Sequence, residues 1–261
     1  MQTIAYLVTT HQRHALAADV IRHVCRLRDT LLAEGTVEIR PLVVMSIEDV
    51  SDLARVCRDQ GVDWIAANNK PVSSKHQVGV HAVQSFDTHD EIDGIMYAGS
   101  DDFVSAGYVR QAVAKLAAGS PGVGPSTVWF LDAPTGRLGK WQGPMQLGDD
   151  VNVPAGVGRL ISRAVLDNCN WCLWPFARNQ GLDTHSSKHL ATKGVHLEAV
   201  ALADDDAIVD VKTDTNIHSW REFEIGRNFA EVLMAGPRRD AICAAAGVPE
   251  VWYKSATPSP V

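Results

Sequence analysis

Asp101 and Asp102 stand side by side directly after the apolar run at 93–98 (DGIMYA), and adjacent carboxylates of this kind are the chain's clearest chemical signal. Each bare carboxylate raises the proton affinity of the other, and a divalent cation relieves that repulsion. Oxygen ligands suit Mg²⁺ or Mn²⁺, which reach proteins through one or two carboxylates while substrate phosphates complete the shell. The same pair also fits an acidic loop ahead of the helical stretch 107–118, where capping carboxylates are ordinary, so taken alone it leaves both readings open. Cys169-Asn170-Trp171-Cys172 could serve redox chemistry or half a zinc site, but no second CxxC or CxxH stands at ligand spacing. Two semi-buried thiols are the better expectation. His185 and His189 share a helix face without a surrounding HExxH, and no GxSxG is present, which argues against zinc-protease and serine-hydrolase chemistry.

The elements that must position Asp101 alternate strand and helix. Residues 4–9 (IAYLVT) read as a buried parallel strand that empties into the polar Thr10-His11-Gln12-Arg13, where a nucleotide could dock. Leu16, Val20, Val24, Leu27 and Leu31 recur at helical spacing behind it. A second strand at 38–45, a helix over 46–60 stopped by Gly61, a third strand at 62–67 and a helical register over 75–86 follow. The fourth strand, 93–98, ends in Gly99-Ser100-Asp101-Asp102. Four βα units predict an α/β fold with a doubly wound, mostly parallel sheet. Ligands in such sheets bind at the carboxyl ends of the strands, which places Thr9, Thr10 and Arg13, the Ser46 region, Asn68, Ser100 and Asp101 along one rim.

The second half is less regular. Strands are expected at 127–131, 195–202 and 207–211, a hairpin or loop at 136–144, and helices at 159–167, 184–193, 223–234 and 238–246. The economical division is one domain over 1–253 with two functional halves, 1–105 and 106–253, and a flexible tail at 254–261. A formal charge of −7 argues against a broadly basic surface. The odd count of five cysteines argues against a disulfide framework. With no apolar run near the roughly 20 residues of a membrane span and no signal-peptide pattern at Met1, a cytoplasmic location is expected.

In pattern, the order of strands, polar ends and later motifs resembles the GT-A glycosyltransferases over nearly the whole chain. In that family a DxD-like motif ends the fourth strand, and Gly99-Ser100-Asp101-Asp102-Phe103 stands in its place, with Gly99 where the first acid often stands. The resemblance implies Asp101 as the surer metal ligand, with Asp102 on metal or donor sugar. It implies a donor contact among Asn68, Asn69, Lys70 and Lys75, of which Lys75 could reach a phosphate. Pro154-Ala155-Gly156-Val157-Gly158 resembles the family's acceptor-side loop, and Gly181-Leu182-Asp183-Thr184 its acidic motif. Asp183 is then the catalytic base of an inverting enzyme or, on its residues alone, a helix cap. His218 matches the C-terminal histidine that supplies a further metal ligand in many members.

The implied activity is transfer of a sugar from a nucleotide diphosphate, UDP favoured, to a hydroxyl, with Mn²⁺ or Mg²⁺ on the leaving diphosphate. A nucleotidyltransferase reading would need a glycine-rich loop after the first strand, and Thr9-Thr10-His11-Gln12-Arg13-His14 has no glycine. Small unanchored members resemble phage enzymes that glycosylate hydroxymethylated bases in DNA, which would place this chain in a host cytoplasm. Arg178, His185, Lys188, His189, Lys193 and His196, with Arg137, Lys140, Arg238 and Arg239, form either a solvated surface or one that meets phosphates, in which case Trp141 or Trp171 would stack on an extruded base. A saccharide or lipid-linked acceptor is one alternative, and a non-catalytic nucleotide-binding module is another.

Overall fold

The computed structural model describes residues 1–87, 91–142, 145–146, 152–213, 220–226 and 229–254. Strand β1 (Gln2–Thr10) is buried on both faces, so its side chains sort by alternation. Ile4, Tyr6 and Val8 enter one apolar cluster, and Ala5 and Leu7 the other. Helix α1 (His14–Ala33) lays its Leu16, Val20, Val24, Leu27 and Leu31 stripe on the first cluster. Strand β2 (Val37–Ser46), helix α2 (Val50–Gln60), strand β3 (Asp63–Ala67), helix α3 (Val72–Phe86) and strand β4 (Gly94–Gly99) complete the repeating units. Gly61 ends α2 in the left-handed region at φ 62°, the conformation glycine adopts without penalty. Val80 and Val83 of α3 pack on the opposite cluster from α1, so the sheet is covered on both sides as a doubly wound fold requires.

After β4 the chain changes sheets. A three-residue strand, β5 (Asp102–Val104), leads into α4 (Ala106–Ala117), and β6 (Gly122–Pro125) returns to the first sheet. Next come the hairpin β7 (Thr127–Asp132) and β8 (Arg137–Gln142), the short pair β9 (Met145–Gln146) and β10 (Asn152–Val153), then β11 (Arg159–Ser162). The remaining elements are α5 (Arg163–Asn168), α6 (Leu182–Ala191), β12 (Glu198–Val200), β13 (Ile208–Lys212), α7 (Trp220–Ile225), β14 (Phe229–Leu233) and α8 (Pro237–Ala246). The seven-stranded sheet runs β12-β6-β11-β4-β1-β2-β3, with β11 antiparallel to both neighbours and every other pair parallel. The expected mostly parallel α/β sheet is what forms. A five-stranded sheet, β14-β8-β7-β13-β5, packs beside it. Among the described residues no helix is long and apolar enough to cross a membrane.

Two expected helices are corrected. Residues 159–162 form β11, because Leu160 and Ile161 bury opposite faces between β4 and β6 while Ser162 caps the helix that begins only at Arg163. Residues 223–234 divide at Gly226 into α7 and β14, whose Phe229, Glu231 and Leu233 turn inward while Ala230 and Val232 face out. That alternation has the period of a strand.

Candidate functional site

The polar ends of β1, β2, β3 and β4 meet at one rim, as parallel neighbours must. Leaving β1, the chain turns through Gln12 and Arg13, both left-handed at φ 56° and 48°. For residues with a Cβ this conformation costs roughly 1–2 kcal/mol each. Compensation comes from Asp49, a buried carboxylate at the end of β2 that accepts the Gln12 N–H at 3.0 and 3.1 Å and meets His14 Nε2 at 3.0 Å. The turn aims Arg13 at the end of β4, where Nη1 donates to Asp101 Oδ2 at 2.7 Å and Nη2 to Ser100 Oγ at 3.0 Å. Arg13, expected to face a nucleotide, orients the acidic motif through these two bonds.

Asp101 lies in the turn between β4 and β5, and Asp102 opens β5. β5 pairs antiparallel with β13 in a register that sets Asp102 opposite Asp210. Cross-strand carboxylates repel when nothing lies between them. Oxygens of Asp101, Asp102 and Asp210 all lie within 4.8 Å of one another. Burial, then Asp101 and Asp210, push the Asp102 carboxyl well above its ordinary range, and the Gly99 N–H donated at 2.5 Å pulls the other way. Burial likewise raises Asp210, against the opposing pull of Lys212. Lys212, two residues along the same strand face, donates to Asp210 Oδ2 at 2.5 Å and lies 4.6 Å from the Phe130 ring centroid. Asp210 Oδ1 is buried without a hydrogen-bond partner among the described residues. Three carboxylates, once all are ionised, exceed the charges of Arg13 and Lys212 by one and include an oxygen unpartnered among the described residues, a donor set that fits Mg²⁺ or Mn²⁺.

Gly99 has a physical reason to replace an acid. A Cβ there would stand 2.7 Å from Asp101 Oδ1 and 3.1 Å from Asp102 Oδ2, so any side chain would displace the carboxylates. Asp210 was missed from sequence. Its signal was a charge inside an apolar strand, Ile208-Val209-Asp210-Val211-Lys212, where alternation puts Asp210 and Lys212 on one face. His218, the expected further ligand, lies outside the described residues.

Beside the cluster, His11, Glu48, Asn68, Asn69 and Lys70 line a cleft of about 430 Å³. Asn68 is exposed there. Thr9 and Thr10 are buried; Thr9 Oγ1 meets His76 Nε2 at 3.4 Å, and the Thr10 carbonyl accepts from Lys75. Lys75 does not reach outward to a phosphate. It is 2% exposed, and Nζ donates to Thr10 O at 2.5 Å, Asn69 Oδ1 at 2.9 Å and Ser46 Oγ at 3.1 Å.

Asp183 sits in the first turn of α6, after Gly181 in the left-handed region, and its Oδ2 accepts the Gly156 N–H at 2.9 Å. A Cβ at Gly156 would collide with that carboxylate. The loop belongs to the same rim, because β11 begins opposite Tyr97 near the carboxyl end of β4 and Gly158 N donates to Tyr97 O at 2.9 Å. Arg159, fully buried, joins loop to helix through Pro154 O at 2.5 Å, Ser186 Oγ at 3.0 Å and Asp183 O at 3.3 Å.

The proposed acceptor surface is altered in two respects. Trp171 is 3% exposed, with Nε1 on Asp167 Oδ1 at 2.8 Å, so it offers no face to a base. Arg137, Arg238 and Arg239 are engaged by Glu224, by Asp204 and Glu231, and by Asp240. Arg178, Lys188, Lys193 and His196 are exposed, and Trp141 is half-buried near Phe130. Cys169 is buried and Cys172 half-buried, both free thiols.

No protein-family model matches this sequence, and no curated protein matches it. Among solved structures, the chain is similar to a 4-diphosphocytidyl-2C-methyl-D-erythritol synthase, at 12% identity and a TM-score of 0.49 over 87% of this chain and 96% of that one. It is also similar to the synthase of the same name from Anaerococcus prevotii, at 10% identity and 0.48 over 77% and 87%. A third similar structure is the catalytic domain of Drosophila beta1,4-galactosyltransferase 7 in complex with xylobiose, at 11% identity and 0.47 over 93% and 79%. These are likenesses of fold outline.

Proposed function

We propose that this chain is a divalent-metal-dependent glycosyltransferase that moves a sugar from a nucleotide diphosphate, UDP favoured, to an acceptor hydroxyl. The observation that carries the reading is the cluster of Asp101, Asp102 and Asp210 at the carboxyl rim of a mostly parallel sheet, next to a cleft formed by three strand ends. The three carboxylates would hold the ion, with His218 as the expected further ligand. A bound Mg²⁺ or Mn²⁺ would supply Lewis-acid neutralisation of the charge that builds on the leaving diphosphate. Arg13 keeps Asp101 and Ser100 in place by its two donated bonds, a preorganised arrangement of charge of the kind that lowers barriers.

Asp183 is the base in this reading. Its carboxylate is fixed by one backbone N–H, is half-buried, and stands on the rim that β4 and the 154–158 loop share, so it can take the proton of an acceptor hydroxyl if transfer inverts. The favoured acceptor is a hydroxymethylated base in DNA, with exposed Arg178, Lys188 and Lys193 available to phosphates. The test is donor binding and hydrolysis over UDP- and GDP-sugars with and without Mn²⁺, followed by transfer to hydroxymethylated DNA or to oligosaccharides. Donor binding that ignores the metal sinks the reading, and transfer only to oligosaccharides replaces the acceptor.

A further inference from the structure

Among the described residues, Lys75 carries a buried charge with no carboxylate in hydrogen-bond contact with it. Its three bonds go to neutral oxygens on three separate segments: Thr10 O at the end of β1, Ser46 Oγ at the end of β2, and Asn69 Oδ1 in the loop after β3. An ammonium has three hydrogens to donate, and each goes to one segment. The same segments carry the cleft lining, His11 after β1, Glu48 after β2 and Asn68–Lys70 after β3. The network continues outward, since Ser46 Oγ also donates to Thr10 O at 3.0 Å and meets His11 Nδ1 at 3.1 Å. Burial of a charge among neutral dipoles is costly, and an apolar side chain of similar length often serves stability as well or better.

We propose that Lys75 is a positioning residue for the donor cleft, whose ammonium draws the ends of β1, β2 and β3 into the shape that receives a nucleotide. This rests on the nucleotide-donor reading. It moves Lys75 from the expected phosphate contact to the floor beneath the contacts.

The charge state of Lys75 supplies a readout that a packing role would not move. The groups facing it are His11 and Arg13 from the turn after β1, Glu48 and Asp49 from the turn after β2, and His76 from its own helix. Burial above all lowers the Lys75 ammonium from 10.5 to about 8, partly offset by Asp49 and Glu48. His11 is lowered from 6.5 by burial and by Lys75, and His76 to about 3, so neither histidine titrates above neutrality. A neutral amine has two hydrogens for three acceptors and no charge, so its hold on the three segments weakens as pH rises through about 8. Stability moves oppositely. The unfolded chain holds this proton up to 10.5, so between about 8 and 10.5 the group's contribution to stability grows with pH.

The experiment measures binding of UDP and of GDP, each with Mn²⁺, to the full chain at neutral pH and about one unit above the Lys75 midpoint, alongside melting temperature. For Lys75→Met we expect binding weaker by about tenfold, an unchanged or higher melting temperature, and a flat pH profile where the unsubstituted protein weakens above pH 8. Affinity equal to that of the unsubstituted protein overturns the inference. So does a loss of affinity that tracks a loss of melting temperature while the unsubstituted protein shows no pH step. If Lys75→Met does not fold, Asn69→Ala removes one acceptor from the loop. It should weaken binding about threefold and keep the step, and absence of a step in both proteins overturns the inference. An unsubstituted protein that binds neither nucleotide defeats the donor reading and this inference together, whereas normal binding with an indifferent Lys75 defeats this inference alone.

Discussion

Two buried charge systems sit on the same rim and are built on opposite terms. Around Asp101, Asp102 and Asp210, like charges crowd together, burial raises the proton affinity of two of them, and Asp210 Oδ1 has no hydrogen-bond partner among the described residues. Around Lys75 a single charge has each of its hydrogens placed on an oxygen of the protein itself. The first system would, in the proposed function, be completed by a cation from outside. The second is complete and serves as scaffold. Proximity to a ligand cleft is therefore a poor guide to which charge touches the ligand, and hydrogen-bond bookkeeping is a better one.

The widest separation between the systems should come from removing a carboxylate. Asp210→Asn is expected to lower sugar transfer by 100-fold or more, about 3 kcal/mol of lost transition-state stabilisation. Its melting temperature in chelator should change little, because relief of the repulsion with Asp102 is offset by the weakened ion pair with Lys212. A substantially less stable Asp210→Asn in chelator would show the cluster to be structural. Next in size, Asp183→Asn should cost about 100-fold in kcat with little change in donor KM, the usual range for a general base. Gly156→Ala should follow it in direction, since its Cβ would displace the same carboxylate; steady-state kinetics with unaltered kcat in both would remove the base.

Metal alone gives a third contrast. Saturating Mn²⁺ at about a hundred times its dissociation constant should stabilise the protein by about 2.7 kcal/mol, several degrees in a thermal melt, and should do nothing for Asp210→Asn. A shift of equal size in both proteins would place the ion elsewhere. The smallest effect concerns the strained turn that serves both systems. Gln12→Gly relieves one left-handed residue at φ 56°, so a gain of about 0.5 kcal/mol is expected. Chemical denaturation reads it, and a loss would mean that Gln12 makes a contact worth more than its strain.

Much of the first half was legible in the sequence because its signals are local. Each βα unit carries its own periodicity and stop residue, from the Leu16-to-Leu31 stripe to Gly61, and the four strand ends follow from parallel geometry. Asp210 was not legible, because its partnership with Asp102 is a matter of register between two strands far apart in the chain. The inward turn of Lys75 was hidden for a similar reason, since helical register places it on α3 but does not say that three loop oxygens wait beneath it. In the second half, Arg159 and the 229–233 segment read as helix from apolar spacing, and pairing with distant strands overrode that spacing.

The register between β5 and β13 also orders events during folding. β1 to β4 and their helices can assemble from contacts made along the first hundred or so residues, a chain length that suffices for an independent core. The third carboxylate arrives only when β13 docks antiparallel on β5, a pairing that must wait for the chain between them to close a long loop. A nascent chain would thus form the cleft at the ends of β1, β2 and β3 before Asp210 joined Asp101 and Asp102.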